Sequence, residues 1–191
     1  MTDVPRTRYT RLSSDNRRAA LIDAALACIA EGGIHGFTVD RICAKAGVSR
    51  GLVTHHFGSM NALLAAAYGQ IYTASLPPLT DIHSLVDTLF APDLFNRQSL
   101  NIWLTLWAEI SNNPALRAVH QAQYADYLAR IAAALTKSAP SLTNPIPLAR
   151  SLICLVDGLG LQHCIDPASM PAALARQSCL DLLGPHIGPP P

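Results

Sequence analysis

The sequence predicts an all-α protein, with an N-terminal three-helix domain followed by a larger C-terminal helical bundle. Apolar residues recur at the 3.6-residue period of a helix in nearly every segment after residue 14, and no segment alternates as a half-buried strand does. Half of the 191 residues are hydrophobic and only 14% are charged. This balance predicts more buried surface than one small domain provides, such as a subunit interface.

The first helix is expected from Asp15 to Glu31, because one face is apolar throughout and Gly32-Gly33 follows it. A short second helix follows, with Thr38 placed to cap its start and Gly47 placed where a left-handed backbone ends a helix. Its apolar stripe consists of Val39, Ile42, Cys43 and Ala46.

A third helix is expected to begin directly after Gly47. Ser49 is its expected N-cap, and Val48 and Val53 are spaced as a hydrophobic staple. Two short helices joined by a glycine turn are typical of a helix-turn-helix, in which the second helix reads DNA. That helix presents Arg50, Gly51, Thr54, His55 and His56.

A fourth helix is expected from about Ser59 to Pro77-Pro78, where the prolines end it. The pattern predicts further helices at 82–90, 100–110, 115–137, 147–165 and 170–183. The helix over 147–165 is apolar nearly all round, so it needs cover on every side. We therefore expect the last two helices to pair with those of a second copy across a two-fold axis.

The chain divides into four segments by this interpretation. They are a basic flexible arm (1–14), a helix-turn-helix DNA-binding domain (15–58), a connecting helix (59–78) and a helical ligand-binding and dimerisation domain (79–191).

Positive charge is concentrated at the N-terminal end. Residues 1–58 carry eight Lys or Arg against five Asp or Glu, whereas the remainder carries six against eight. The densest part contains Arg6, Arg8, Arg11, Arg17 and Arg18. Alone, such a run is equally consistent with a solvated tail, but beside a helix-turn-helix it favours contact with DNA phosphates.

The composition also argues against several other classes. We expect a cytoplasmic protein without membrane contact, because the basic N-terminus lacks the apolar stretch of a signal peptide and no unbroken apolar run reaches ~18 residues. The five cysteines lack CxxC spacing and are expected to be reduced and mostly buried, with a redox switch as the alternative. No metal site, cofactor or catalytic residue is predicted, since the adjacent His55 and His56 point to different faces.

The order of these features resembles the TetR family of bacterial transcriptional regulators. The stretch GFTVDRICAKAGVSRGLVTHHFGSMNALLAAAY follows the family pattern almost position by position, within a match over about 17–68. IWLTLWAEISNNPALRAVH and LVDGLGLQHCI resemble the BetI-type branch, whose best-known members respond to choline, over about 81–184.

The resemblance implies roles for the helix-turn-helix residues. Thr38 and His56 match positions that contact phosphate, and Lys45 adds positive charge nearby. The third helix would enter the major groove with Arg50, Gly51 and Thr54 nearest the bases and with Ser49 and His55 beside them. Arg50 is able to contact guanine through two hydrogen bonds.

Two positions depart from the family pattern. Thr54 stands where the family usually has tyrosine, and Met60 stands where it usually has lysine. Each change removes or weakens a usual DNA contact, and we expect the arginine-rich arm to compensate.

The C-terminal part contains a group of aromatic residues suited to a small-molecule site. Trp103 and Trp107 share a helix face, Tyr124 and Tyr127 lie in the next helix, Glu109 or Asp157 supplies a counter-charge, and His163 is a polar lining candidate. An aromatic cage holds a choline-like cation, whereas ordinary core packing is the alternative. Gly160 replaces a tryptophan of the BetI-type motif, which favours a larger cavity and leaves other small organic effectors open.

Together these observations predict a homodimeric, ligand-responsive repressor of a near-palindromic DNA operator. An activator of the same family and an enzyme with a DNA-binding appendage are the alternatives. The enzyme alternative lacks a recognisable nucleophile, acid–base pair or metal cluster in the second half of the chain.

Overall fold

The computed structural model describes residues 14–74 and 81–187, and within these ranges the chain forms helices and no strands. The all-α prediction is therefore confirmed. The helices are α1 (Ser14–Gly36), α2 (Val39–Ala46), α3 (Gly51–Phe57), α4 (Met60–Ala74), α5 (Ile82–Leu89), α6 (Arg97–Ile110), α7 (Pro114–Ser138), α8 (Ile146–Ile165) and α9 (Ala172–Leu183). Most of the arm over 1–14, Pro77-Pro78 and the last four residues lie outside the described residues.

The glycine pair lies within α1 and ends its long regular part, as the sequence predicts. Gly32 and Gly33 leave helical geometry, and Gly33 has a φ of 57° that glycine adopts without strain. The chain resumes one further turn and reaches the buried Gly36, whose carbonyl accepts a hydrogen bond from the amide of Thr38. This reversal brings α2 back against α1.

The helix-turn-helix has its own core between α1, α2, α3 and α4. Leu21, Cys28, Ile42, Val53 and Leu63 are all buried in it, and each helix contributes at least one of them. Apolar burial of this kind contributes roughly 1.5–3 kcal/mol for each large side chain. The predicted inner stripes of the short helices therefore do pack inward.

A second apolar group, here named the junction cluster, joins this domain to the rest of the chain. It consists of buried side chains from α1, α4, α6 and α7: Ile29, Leu64, Tyr68, Tyr72, Leu106 and Leu116. Polar bonds follow the same route, since Gln70 of α4 donates to Asp23 of α1 at 2.6 Å and Gln123 of α7 donates to the Gly69 carbonyl at 3.3 Å. Helix α4 is thus held on both sides.

The C-terminal core is formed by α5, α7, α8 and α9. Its buried centre includes Leu85, Ile131, Leu135, Leu152 and Cys179. The five cysteines are free thiols; Cys28, Cys43 and Cys179 are buried. Helices α1 and α8 have the length and apolar composition of a membrane span, but core helices of soluble proteins share both properties.

The close approach at Gly36 gives a stability test. A β-carbon at this position would overlap the carbonyl oxygen of Cys28 and lie 3.1 Å from its carbon, and both atoms are backbone. We expect Gly36→Ala to lower the free energy of unfolding by about 1–3 kcal/mol, because the backbone must shift to relieve the overlap. Urea unfolding followed by circular dichroism, at one protein concentration, measures the change.

Gly51→Ala is the matched control, because a β-carbon there meets no atom of the described residues within 4 Å. Alanine inside a helix is expected to leave stability unchanged or raise it by up to about 1 kcal/mol. If both substitutions changed the free energy of unfolding equally, the overlap with the Cys28 carbonyl would not be the reason why position 36 requires glycine.

Candidate DNA-binding surface and effector cavity

The turn between α2 and α3 is fixed by local bonds of the type that the sequence indicates. Thr38 caps α2, and its hydroxyl accepts from the amide of Arg41 at 3.4 Å. Gly47 adopts a left-handed φ of 66°, and its amide lies within reach of the carbonyls of Cys43 and Ala44. Both sequence predictions for this turn are confirmed.

The start of α3 differs from the prediction. Arg50 occupies the N-cap position with helical backbone angles and no side-chain cap bond, so the prediction of Ser49 as N-cap is wrong. The reason lies in the first turn, where the amides of Leu52 and Val53 donate to the carbonyls of Ser49 and Arg50, each at 3.1 Å. These three-residue bonds replace a side-chain cap. Ser49 is exposed immediately before the helix.

Helix α3 has one buried and one exposed face. Val53 is buried in the domain core, whereas Arg50, Gly51, Thr54 and His55 are all exposed. Their spacing at the start of and along α3 places these four residues on adjacent parts of one surface. A helix presented in this way is able to enter the major groove of DNA.

His56 is placed differently from its neighbours. It is half-buried, its ring lies 5.0 Å from that of His55 and 6.4 Å from that of Phe57, and its Nε2 atom is buried without a hydrogen-bond partner among the described residues. A phosphate contact through His56 therefore requires this ring to turn outward.

Cations near this surface are paired with carboxylates. Arg50 forms an ion pair with Asp40 at 2.5 Å, and Lys45 and Arg41 contact Glu31 at 2.7 Å and 3.5 Å. The hydrogen bond from Lys45 lowers the pKa of Glu31. Such exposed pairs contribute little to stability, with a median of roughly 0–1 kcal/mol. Phosphates are therefore able to replace these carboxylates at small cost.

Arg18 lies close to the position where the family usually has a lysine and this chain has Met60. Met60 is half-buried against the helix-turn-helix core, so its side chain contributes to packing. The Arg18 guanidinium lies 5.0 Å above the ring of Phe57, the last residue of α3, and is exposed. An arginine from α1 thus brings positive charge to the α3–α4 turn, close to the position where the family has lysine.

The second site is a cavity of about 510 Å³ between α4, α6, α7 and α8. Five of the residues predicted from sequence line it: Trp103, Trp107, Tyr124, Tyr127 and Asp157. The structure adds others that the sequence pattern missed, chiefly Tyr68, Tyr72, Phe95, Leu100 and His120. Tyr68 and Tyr72 are four residues apart on α4, and this spacing is a sequence signal by which those two could have been found.

His163 and Glu109 do not line this cavity. The Nδ1 atom of His163 is bonded to the carbonyl of Met170 at 2.9 Å, and its ring lies 4.7 Å from that of Phe95. The expectation that His163 is a lining residue therefore fails, because backbone and aromatic contacts already hold its ring. Of the two carboxylates considered as counter-charges, only Asp157 faces the cavity.

The aromatic rings of the cavity wall also pack against one another. Trp103 lies edge-on to Tyr68 at 5.8 Å and to Tyr72 at 5.5 Å, and its own neighbour Trp107 lies at 5.9 Å. The Tyr68 hydroxyl and His120 Nδ1 form a hydrogen bond of 2.7 Å. The aromatic residues thus belong to the core and also form the wall of the cavity. The two alternatives drawn from sequence, core packing and a cavity lining, therefore both describe them.

Burial shifts ionisable side chains of the cavity wall toward their neutral forms. Desolvation raises the pKa of Asp157 to about 7 and lowers the pKa of His120. Burial also raises the pKa of Tyr68, Tyr72 and Tyr127, so these hydroxyls stay protonated. Among the described residues that line the wall, Asp157 is the only carboxyl, and none is a lysine or arginine. Across the described residues, no group of three or more His, Cys, Asp or Glu side chains could hold a metal ion.

An exposed helix-turn-helix joined to a helical domain that contains a cavity is the arrangement of a DNA-binding transcriptional regulator. Residues 21–67 match the family described as bacterial regulatory proteins of the tetR family, and residues 78–187 match the BetI-type transcriptional repressor C-terminal family. The chain belongs to the TetR family and has a BetI-type C-terminal domain. Its relatives are regulators and not enzymes.

Individual relatives agree with this assignment. The HTH-type transcriptional regulator BetI of Serratia proteamaculans is 29% identical over 172 residues, which cover 83% of this chain and 86% of that protein. A transcriptional regulator structure from Pseudomonas aeruginosa PAO1 has a TM-score of 0.80 at 30% identity, over 94% of each chain. A regulator from Saccharomonospora viridis, solved in complex with choline, has a TM-score of 0.73 at 23% identity, over 91% of this chain and 98% of that one.

The carboxyl of Asp157 predicts a pH-dependent stability difference. Between pH 4 and 7 the unfolded chain releases this proton whereas the folded protein keeps it, so the contribution of Asp157 to stability falls as the pH rises through this window and levels off above about 7. We compare the free energy of unfolding of Asp157→Asn with that of wild type at two pH values. The difference, variant minus wild type, should be larger at pH 8 than at pH 4 by about 1–3 kcal/mol.

Urea unfolding of both proteins at pH 4 to 8 and at one protein concentration measures this difference. Asp93→Asn, which changes an exposed carboxyl in the turn before α6, is the control and should show no such trend. A constant difference between the Asp157 variant and wild type across this range would contradict the raised pKa.

Proposed function

We propose that this protein is a homodimeric repressor that binds a near-palindromic operator in the cytoplasm and releases it when a small organic effector enters the cavity. The observation that carries this proposal is the double role of α4. Its N-terminal half packs in the helix-turn-helix core through Leu63 and Ala67, while Tyr68 and Tyr72 line the cavity. A ligand that moves α4 therefore moves the DNA-binding surface.

On DNA, α3 occupies one major groove per subunit. Arg50 leaves Asp40 to make two hydrogen bonds to guanine, while Gly51 and Thr54 lie against neighbouring base edges. Thr38, Lys45, Ser49, His55 and His56 form the surrounding contacts. Arg18 provides a phosphate contact at the α3–α4 turn in place of the missing lysine.

The dimer forms through α8 and α9. The large apolar side chains that are exposed in the described part of the chain all lie there: Ile146, Leu161, Ile165 and Leu174. On α8, Gly158 sits between them with open space around its α-carbon, which allows a partner helix to approach closely. A two-fold axis through this surface places two copies of α3 to meet successive half-sites.

The effector is an organic cation. Asp157 supplies the negative charge and the surrounding aromatic rings supply faces that attract a cation. The cation class, of which a choline-like cation is the smallest member considered, is supported because the structurally similar Saccharomonospora viridis regulator holds choline. Release requires the effector to bind more tightly to the state in which the two DNA-binding domains are spread apart.

Two arginine variants test the DNA-binding surface, in mobility-shift titrations on the DNA adjoining the protein's own gene. Arg50→Ala should weaken operator binding by about 10- to 100-fold and relax the preference at one base pair, because a base-reading contact is lost. Arg18→Ala should weaken binding to all sequences alike and reduce the salt slope by about one, because a phosphate contact is lost.

Arg97→Ala, at the exposed start of α6, is the control and should bind as wild type does. Absence of a sequence-specific shift by the wild-type protein, with and without choline, would overturn the repressor proposal. Tighter operator binding in the presence of an effector would favour the alternative of an activator or co-repressed regulator.

The dimer is tested by Ile165→Asp, which places a charge on a side chain that is 67% exposed at the end of α8. Light scattering at micromolar concentration should give twice the chain mass for wild type and a lower mass for this variant, because the charge must be desolvated in the interface. Ala129→Asp, exposed on α7, should remain dimeric. A monomeric wild type, or a dimeric Ile165 variant, would exclude this interface.

A further inference from the structure

We propose that the effector is a hydrophobic organic monocation much larger than choline, with its charged group beside Asp157 and its apolar body extending along α8 past Gly160. This inference rests on the proposed function, in which the cavity is the effector site. It adds the size and polarity of the molecule that the site selects.

The volume of the cavity is the first observation. Cavities of roughly 300–1,000 Å³ hold drug-sized ligands, and this one measures about 510 Å³. Choline has seven non-hydrogen atoms, which fill only about 210 Å³ even at the ~30 Å³ that one water molecule occupies in the liquid. Choline would leave more than half of the space to water against an apolar wall.

The polarity of the wall is the second observation, because its polar side chains other than Asp157 are neutral and several of them already form hydrogen bonds within the protein. Ser99 already donates to the Asp93 carbonyl and accepts from the Asn96 side chain, each at 3.1 Å. His120 is bonded to the Tyr68 hydroxyl. Asp157 has no ion-pair partner among the described residues, and it is the only charged side chain in a wall without lysine or arginine. The wall therefore suits one positive charge on an apolar body.

The position of Gly160 is the third observation. It follows Asp157 by three residues on the same face of α8, it is buried, and it lines the cavity without a side chain. A β-carbon there would lie 3.1 Å from Cδ2 of Leu100, which also lines the cavity, so a larger residue would push the Leu100 side chain aside and narrow the cavity between α6 and α8. Gly160 thus keeps open the part of the cavity beyond the carboxylate and acts as a specificity-determining residue.

The test compares two quaternary ammonium ions of different size by calorimetry on the full-length protein. Benzyltriethylammonium has fourteen non-hydrogen atoms and fills about 420 Å³ by the same measure, so it fits the cavity. We expect it to bind wild type at least about tenfold more tightly than choline, because it removes more apolar surface from water.

Three variants test whether residues of the cavity wall cause the preference for the larger ion. Gly160→Leu should weaken benzyltriethylammonium by about tenfold or more while leaving choline within about threefold, because the leucine and the displaced Leu100 narrow the part of the cavity beyond Asp157. Leu104→Trp, on the opposite wall, is a second filler that keeps the test valid if the first variant fails to fold. Asp157→Asn should weaken both ions, because it removes the shared counter-charge.

Each outcome decides between the claims. Choline binding as tightly as or more tightly than the larger ion would overturn the size inference while leaving the cavity as an effector site. Equal losses of both ions in a folded filler variant would also overturn it. If neither ion binds a wild-type protein that still binds its operator, the cation class falls, and the size inference falls with it.

Discussion

The packing of α4 into two cores is the constraint on which the rest of the structure depends. Its first turns complete the helix-turn-helix, and Tyr68 and Tyr72 complete the junction cluster and the cavity wall. The same helix packs in both cores, and Gln70 and Gln123 tie it to α1 and α7, so a shift of α4 would disturb the packing on both sides. Tyr68 is buried completely, so its position is set by the surrounding side chains and not by solvent.

The two functional surfaces use charge in opposite ways. On the helix-turn-helix, cations are exposed and held by carboxylates such as Asp40 and Glu31 in weak pairs that solvent screens. In the cavity, the half-buried carboxyl of Asp157 has no ion-pair partner in the described part of the chain, and desolvation raises its pKa. The first arrangement suits rapid exchange with phosphates. The second favours a ligand that brings its own positive charge.

Local features of the fold were predictable from sequence, whereas features that depend on contacts between distant segments were not. Thr38 and Gly47 obey rules that involve only their neighbours, so the α2–α3 turn follows from them. Trp103, Trp107 and Tyr127 were found by helical spacing, but the pairing of Tyr68 with His120 joins residues 52 positions apart and leaves no mark in either helix. Ser49 failed as a cap because backbone bonds met the same need, and His163 failed as a lining residue because a distant carbonyl holds it.

Leu161 contributes both to the cavity wall and to the outer surface of α8. It lines the cavity, yet 42% of it is exposed among the apolar side chains along α8. A substitution there alters the ligand wall and the outer surface of the helix in one step. A lineage that adapts this cavity to a new molecule through position 161 must therefore also accept a change in its outer surface.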